Sequence, residues 1–143
     1  MGAQRRFARI AAFQALYMVE MGRKDLQEEG VRWEWLEEDN PILSQPELEL
    51  MARNLLYGTL ENLDSIDELI QKHSLHWQLD RISRVDLSIL RMAVYEMCFA
   101  KSKSPPRVVI NEAVEIAKEF SSDVSYKFIN GVLDAIYQKN HVS

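Results

Sequence analysis

Apolar side chains recur along this chain at intervals of three and four residues, the spacing of one face of an α-helix. Ile10, Phe13, Tyr17 and Met21 predict a first helix from about Arg5 to Met21, with Gly22 as its stop. Leu26, Val31 and Trp35 predict a second from about Leu26 to Glu38, weakened by Gly30 and closed by Asn40-Pro41. Pro46 suits a first helical position, and Leu48, Met51, Leu55, Leu56 and Leu60 follow on one side. Asp64 or Ser65 is placed to cap a fourth helix reaching about His73. From Ser83 to Ala100 the chain is apolar on nearly every side, which predicts a central helix surrounded by others. Lys-Ser-Lys-Ser-Pro-Pro ends it, and two further helices follow, about Arg107 to Phe120 and about Val124 to Gln138. No alternating run extends beyond a few residues. The pattern predicts an all-α fold of about seven helices packed as bundles.

At 143 residues, with 47% apolar and 27% charged side chains, the chain fits one globular domain over 1–143. No stretch approaches the ~20 apolar residues of a membrane span. Arginines followed by apolar residues resemble a signal peptide, but Gln14 interrupts the run and Glu20, Arg23 and Lys24 close it without a cleavage pattern. The single cysteine, Cys98, has no internal partner to bridge, and cytoplasmic residence is the expectation. The net charge of −5 hides a strong asymmetry. Residues 1–24 hold five basic and one acidic side chains, whereas residues 25–70 hold two basic and thirteen acidic. A basic end on an acidic protein is compatible with focused RNA binding.

Catalytic and metal-binding patterns are missing. His73 and His76 lack a third ligand at metal spacing, and no His-Glu-x-x-His or Cys-x-x-Cys is present. Glu112, Glu115 and Glu119 line one helix edge but lack the Glu-x-x-His of carboxylate metal bundles, so they read as a solvated face. Cys98 reads as a small core residue, and Trp33, Trp35 and Trp77 as core or interface filling. Phosphate loops and nucleophile elbows are absent, so no enzyme, cofactor or metal is expected.

Two features point to binding. Gln4-Arg5-Arg6-Phe7-Ala8-Arg9 opens the first helix, with Arg5 and Arg9 four apart on one face and Arg6 beside them. Guanidinium groups hold phosphate through paired hydrogen bonds, and cations at this end oppose the helix dipole, which argues for a use beyond stability. The alternative is a solvated terminus. Tyr126-Lys127-Phe128 in the last helix offers rings beside a cation, suited to stacking a base, although Phe128 taken alone reads as core.

Four stretches, in order, resemble the NusB family of bacterial transcription antitermination factors. They are Arg5-Arg6-Phe7-Ala8-Arg9 with Gln14-Ala15-Leu16-Tyr17, then Ile89 to Met97, Ile110 to Lys118, and Lys127 to Asp134. The resemblance implies two packed helical subbundles. It implies binding of a single-stranded RNA element, boxA, together with NusE, a small-subunit ribosomal protein, within an RNA polymerase antitermination complex that promotes ribosomal RNA transcription. Carried over by position, Arg5, Arg6, Arg9, Ser125, Tyr126, Lys127 and Phe128 would contact RNA, the two segments lying side by side as a cradle. Tyr17 and Asp86 would face NusE. Arg91, Glu96, Asn111 and Asn130 recur in the pattern as polar residues in apolar helices and are expected to bond to one another, with Gly131 allowing close helix approach. Phe7 replaces an arginine of some relatives, and Val124 an aspartate, which would move the last helix cap to Ser122 or Asp123. A homodimer pairing through the RNA face would be autoinhibitory. The competing reading is a helical adaptor that binds proteins without RNA affinity. A methyltransferase carrying such a domain is not expected, because no Rossmann-type glycine motif accompanies it.

Overall fold

The computed structural model describes residues 2–75, 77–101 and 104–140, with side chains from 4 to 139 within these ranges. The described residues form α1 (Gly2–Glu20), α2 (Asp25–Glu28), α3 (Pro46–Glu61), α4 (Leu63–His73), α5 (Arg84–Val94), α6 (Pro106–Phe120) and α7 (Ser125–Asn140). A π-helical turn, Tyr95–Phe99, continues α5, and short 3-10 turns span Pro41–Leu43 and Leu79–Arg81. The fold is all-α in two helical subbundles. In the first, α1 packs chiefly on α3, with α2 and the Pro41–Leu43 turn against them. In the second, α6 packs on α7 and α4 joins α5 and α7. α5 also contacts α1, and its Leu87, Ile89, Leu90, Met92, Ala93 and Val94 are buried, as expected of a central helix.

Local chemistry explains most helix ends. Gly22 takes φ +111°, and Arg23 N–H returns to the Met18 carbonyl at 2.8 Å while Gly22 N–H returns to Val19. This is the left-handed glycine stop of a helix. Ser83 Oγ accepts from Asp86 N–H at 3.1 Å and caps α5. α4 starts earlier than expected, at Leu63, because Asn62 stitches it to α3 by donating from Nδ2 to the Gly58 carbonyl at 2.8 Å. α7 starts at Ser125, directly after Val124, with the Ser122 and Ser125 hydroxyls paired at 2.8 Å.

Two expected helices differ from the pattern. The second is four residues long, not thirteen. Gly30 takes φ +96°, Val31 N–H donates to the Tyr57 hydroxyl at 2.6 Å, and Trp33 buries its ring while donating to Glu49 at 3.0 Å. These tertiary anchors replace helical hydrogen bonds over 29–40. The fifth widens at Tyr95, where Ala100 N–H reaches the Tyr95 carbonyl five residues back. The widened turn lays Tyr95 on Gly58 of α3, where an added Cβ would stand 2.0 Å from the ring. Gly58, not Gly131, is therefore the close-approach glycine; Gly131 is exposed with open space around it. Gly58→Ala should lower the urea midpoint. Overpacking costs about 1–3 kcal/mol against the ~1 kcal/mol alanine otherwise contributes in a helix. An unchanged or raised midpoint would show that Tyr95 swings aside freely.

Polar residues inside the helices divide differently from expectation. Arg91 holds Asp67 through two bonds of 2.8 and 2.9 Å, and Glu96 holds Arg9. Asn111 and Asn130 are exposed instead of bonded across an interface. His73 Nδ1 bonds the Leu69 carbonyl at 2.9 Å, and His76 lies outside the described residues. Cys98 is half-buried against the core.

Candidate nucleic-acid interface

The three arginines of α1 meet three different environments. Arg5 is exposed and makes no ion pair with another described residue. Arg6, 40% exposed, donates from Nε and Nη2 to the two oxygens of Glu112 at 2.9 and 2.8 Å. The hydrogen bond to Glu112 raises the Arg6 pKa, helped by the charges of Glu112, Glu115 and Glu119, while Arg6 holds the Glu112 carboxyl below its usual range. Arg9 is buried. It donates to both oxygens of Glu96 at 2.9 and 2.7 Å, each side chain only 4% exposed. Ser104 Oγ donates to the same carboxylate at 2.9 Å.

The structure therefore places Arg9, expected to contact RNA, inside the protein and paired with Glu96. Helical spacing puts Arg5 and Arg9 on one face but does not reveal what covers that face. Here the π-helical turn brings Glu96 onto Arg9, so this guanidinium ties the first helix to the end of the central one. Asp86 also turns inward, accepting a hydrogen bond from Ser121 Oγ, and so joins the start of α5 to the end of α6. Asp86, expected to face NusE, is thus buried at this junction. Its position in the first turn of α5 also suits the helix dipole.

At the start of α7, Lys127 is exposed, Ser125 is buried, and Phe128 is half-buried against the core. The Lys118 ammonium lies 5.0 Å from the ring centre of Tyr126, within cation–π range. Arg6 and Tyr126 are thus joined through α6. Arg6 meets Glu112, Glu115 follows one turn on, Glu115 pairs with Lys118 at 3.2 Å, and Lys118 covers Tyr126. Glu112 and Lys118 are six residues apart, ~9 Å along a helix. The two expected RNA segments therefore border opposite ends of one stretch of α6, and α6 rather than direct α1–α7 packing relates them. Glu112, read from its spacing as part of a solvated face, is instead 16% exposed and paired with Arg6, and Lys118, which no spacing pattern marks, belongs to the same surface.

Tyr17 is half-buried and lines a shallow hollow of about 350 Å³ with Met18, Trp35, Val85 and Phe120. Phe120 also meets Phe13 edge-on at 5.3 Å. The buried Trp35 Nε1–H has no acceptor among the described residues.

Two helical subbundles, a basic first helix and a cation–aromatic pair at the α6–α7 turn define an all-helical binding domain. The chain belongs to the NusB family, whose family model matches residues 6–138. It is 40% identical over 140 residues to the transcription antitermination protein NusB of Treponema denticola, covering 98% of this chain and all of that protein. Against the protein of the same name from Bacillus subtilis it is 41% identical over 133 residues, covering 93% and 94%. Among solved structures, T. maritima NusB superposes with a TM-score of 0.76 at 37% identity, covering 94% of this chain and 91% of that one. A chain from a complex of the antitermination factors NusB and NusE with double-stranded RNA gives 0.71 at 29% identity, covering 97% and 99%.

Proposed function

We propose that this chain is a transcription antitermination factor that binds boxA-type RNA together with NusE and promotes ribosomal RNA transcription. The observation that carries the proposal is full-length similarity, at about 40% identity, to proteins named for that activity. The charge pattern supports it: Arg6 stands on Glu112 of α6, Lys118 lies on α6 beside Tyr126, and the exposed Arg5 and Lys127 add cations for a single strand's phosphates, while Tyr126 offers a ring. Phe128 lies one helical step beyond Lys127 and adds a second, half-buried ring. Ser125 acts from inside, holding the first turn of α7 through Ser122. Tyr17 and the hollow beside it face NusE. The chain works as one domain, in the cytoplasm, as a binding protein and not as an enzyme. Among the described residues no helix is long and apolar enough to cross a membrane.

The test is fluorescence anisotropy of a boxA oligonucleotide, its scrambled form and its duplex, with and without NusE. Tighter binding to the single-stranded boxA form, enhanced by NusE, is the expected result. NusE binding that survives nuclease with no RNA affinity in any arm would favour the protein-adaptor reading instead. Sedimentation with and without RNA would show whether two copies mask the RNA face.

A further inference from the structure

Arg6 is exposed and already engaged. Glu112 meets it with two oxygens at 2.9 and 2.8 Å, and a phosphate presents the same pair of oxygens to a guanidinium. The carboxylate therefore occupies the fork an RNA phosphate would use. Glu112 is only 16% exposed, and Arg9 Nη1 stands 3.8 Å from its Oε1 on the other side. When Arg6 turns outward, Glu112 keeps a cationic neighbour and is not stranded.

We propose that Glu112 sets the affinity of the RNA site: a phosphate takes Arg6 by exchange with this carboxylate, not by adding a contact to a free cation. The inference rests on the RNA-binding function proposed above. Exchange cancels most of the gain from any one phosphate, whatever the sequence. Binding by backbone alone is weakened, and base contacts and the partner protein decide which RNA is held. Glu115 and Glu119 add to the same effect through their charge, which already acts on Arg6.

Glu112→Gln keeps the shape and removes the charge. Wild type, E112Q, R6Q and the R6Q/E112Q pair are compared by anisotropy on boxA-type and scrambled single strands over a range of KCl. E112Q should bind both RNAs about three- to tenfold tighter, because the competing pair is a half-exposed, charge-assisted one. Its log–log salt dependence should steepen by about 0.7, since Arg6 now contributes a full phosphate contact. R6Q/E112Q should match R6Q, because the effect runs through Arg6. An affinity and slope at or below wild type would overturn the inference, as would a gain that persists without Arg6. Should E112Q melt early, Glu112→Asp shortens the carboxylate's reach and should give a smaller gain; a loss there overturns the inference equally. Wild-type protein that binds no RNA, alone or with NusE, would remove the proposed function itself, a result distinguishable from all of these.

Discussion

Glu96→Gln should lower folding stability by about 3–5 kcal/mol, the largest loss expected from any single substitution here. The carboxylate lies inside the protein, holds Arg9 by two bonds and receives a third from Ser104. Neutralising it leaves a desolvated guanidinium with only the more distant Glu112, 3.8 Å away and shared with Arg6, as counter-charge. Urea unfolding followed by helical circular dichroism measures the loss. The same physics predicts an asymmetry. Replacing both partners together, Arg9→Met with Glu96→Leu, removes the desolvation cost of two ions along with their attraction. Such swaps are often neutral or stabilising. The double variant should therefore be markedly more stable than E96Q. If E96Q unfolds at the wild-type midpoint, the pair does not hold α1 to the end of α5, and Arg9 returns to candidacy as an RNA contact.

Arg9 also shows where the sequence stops being informative. Helix ends written in local chemistry were legible: Gly22 stopping α1, Pro46 opening α3, and the start of α5 at Ser83, whose capping bond the structure adds. Each depends on the dihedral angles or hydrogen bonds of a few adjacent residues, which the residue type itself determines. The central position of α5 was legible too, because a helix apolar on all sides has only one place to go. What failed depends on distant residues. The second helix gives way at Gly30 because Tyr57 and Glu49, both on α3, capture Val31 and Trp33. The π-helical turn goes with the meeting of Tyr95 and Gly58, thirty-seven residues away in sequence. Periodicity says which residues share a face, not which counter-charge that face will meet. Arg5, Arg6 and Arg9 look alike in the sequence, and tertiary contacts give one solvent, one a largely buried carboxylate at the surface and one a fully enclosed carboxylate. Asp86 turned inward for the same reason, since Ser121 is thirty-five residues away.

That sorting makes the RNA prediction sharper than a count of basic residues allows. Arg5, Arg6 and Lys127 are exposed or partly so, and Lys118 stands beside Tyr126. If Arg5, Lys118 and Lys127 meet phosphates directly and Arg6 does so by exchange with Glu112, the log–log salt slope for a single strand should be about −2. Replacing Arg5, Arg6 and Lys127 by glutamine should flatten it to about −0.7, and at ~0.1 M salt should weaken binding on the order of twentyfold. The fold should persist, because Arg5 and Lys127 make no ion pair with described residues and the Arg6 pair is half exposed. Arg9→Gln should behave in the opposite way. It should unfold at lower urea, yet below that point its salt slope should match wild type, because a buried guanidinium releases no counterions when RNA binds. The two variants together separate the cations that meet the nucleic acid from the one that holds the helices. A triple variant that stays folded and binds RNA with undiminished affinity and slope would place the phosphate contacts elsewhere on the molecule. A flattened slope in Arg9→Gln would show that the Glu96 pair opens when RNA arrives.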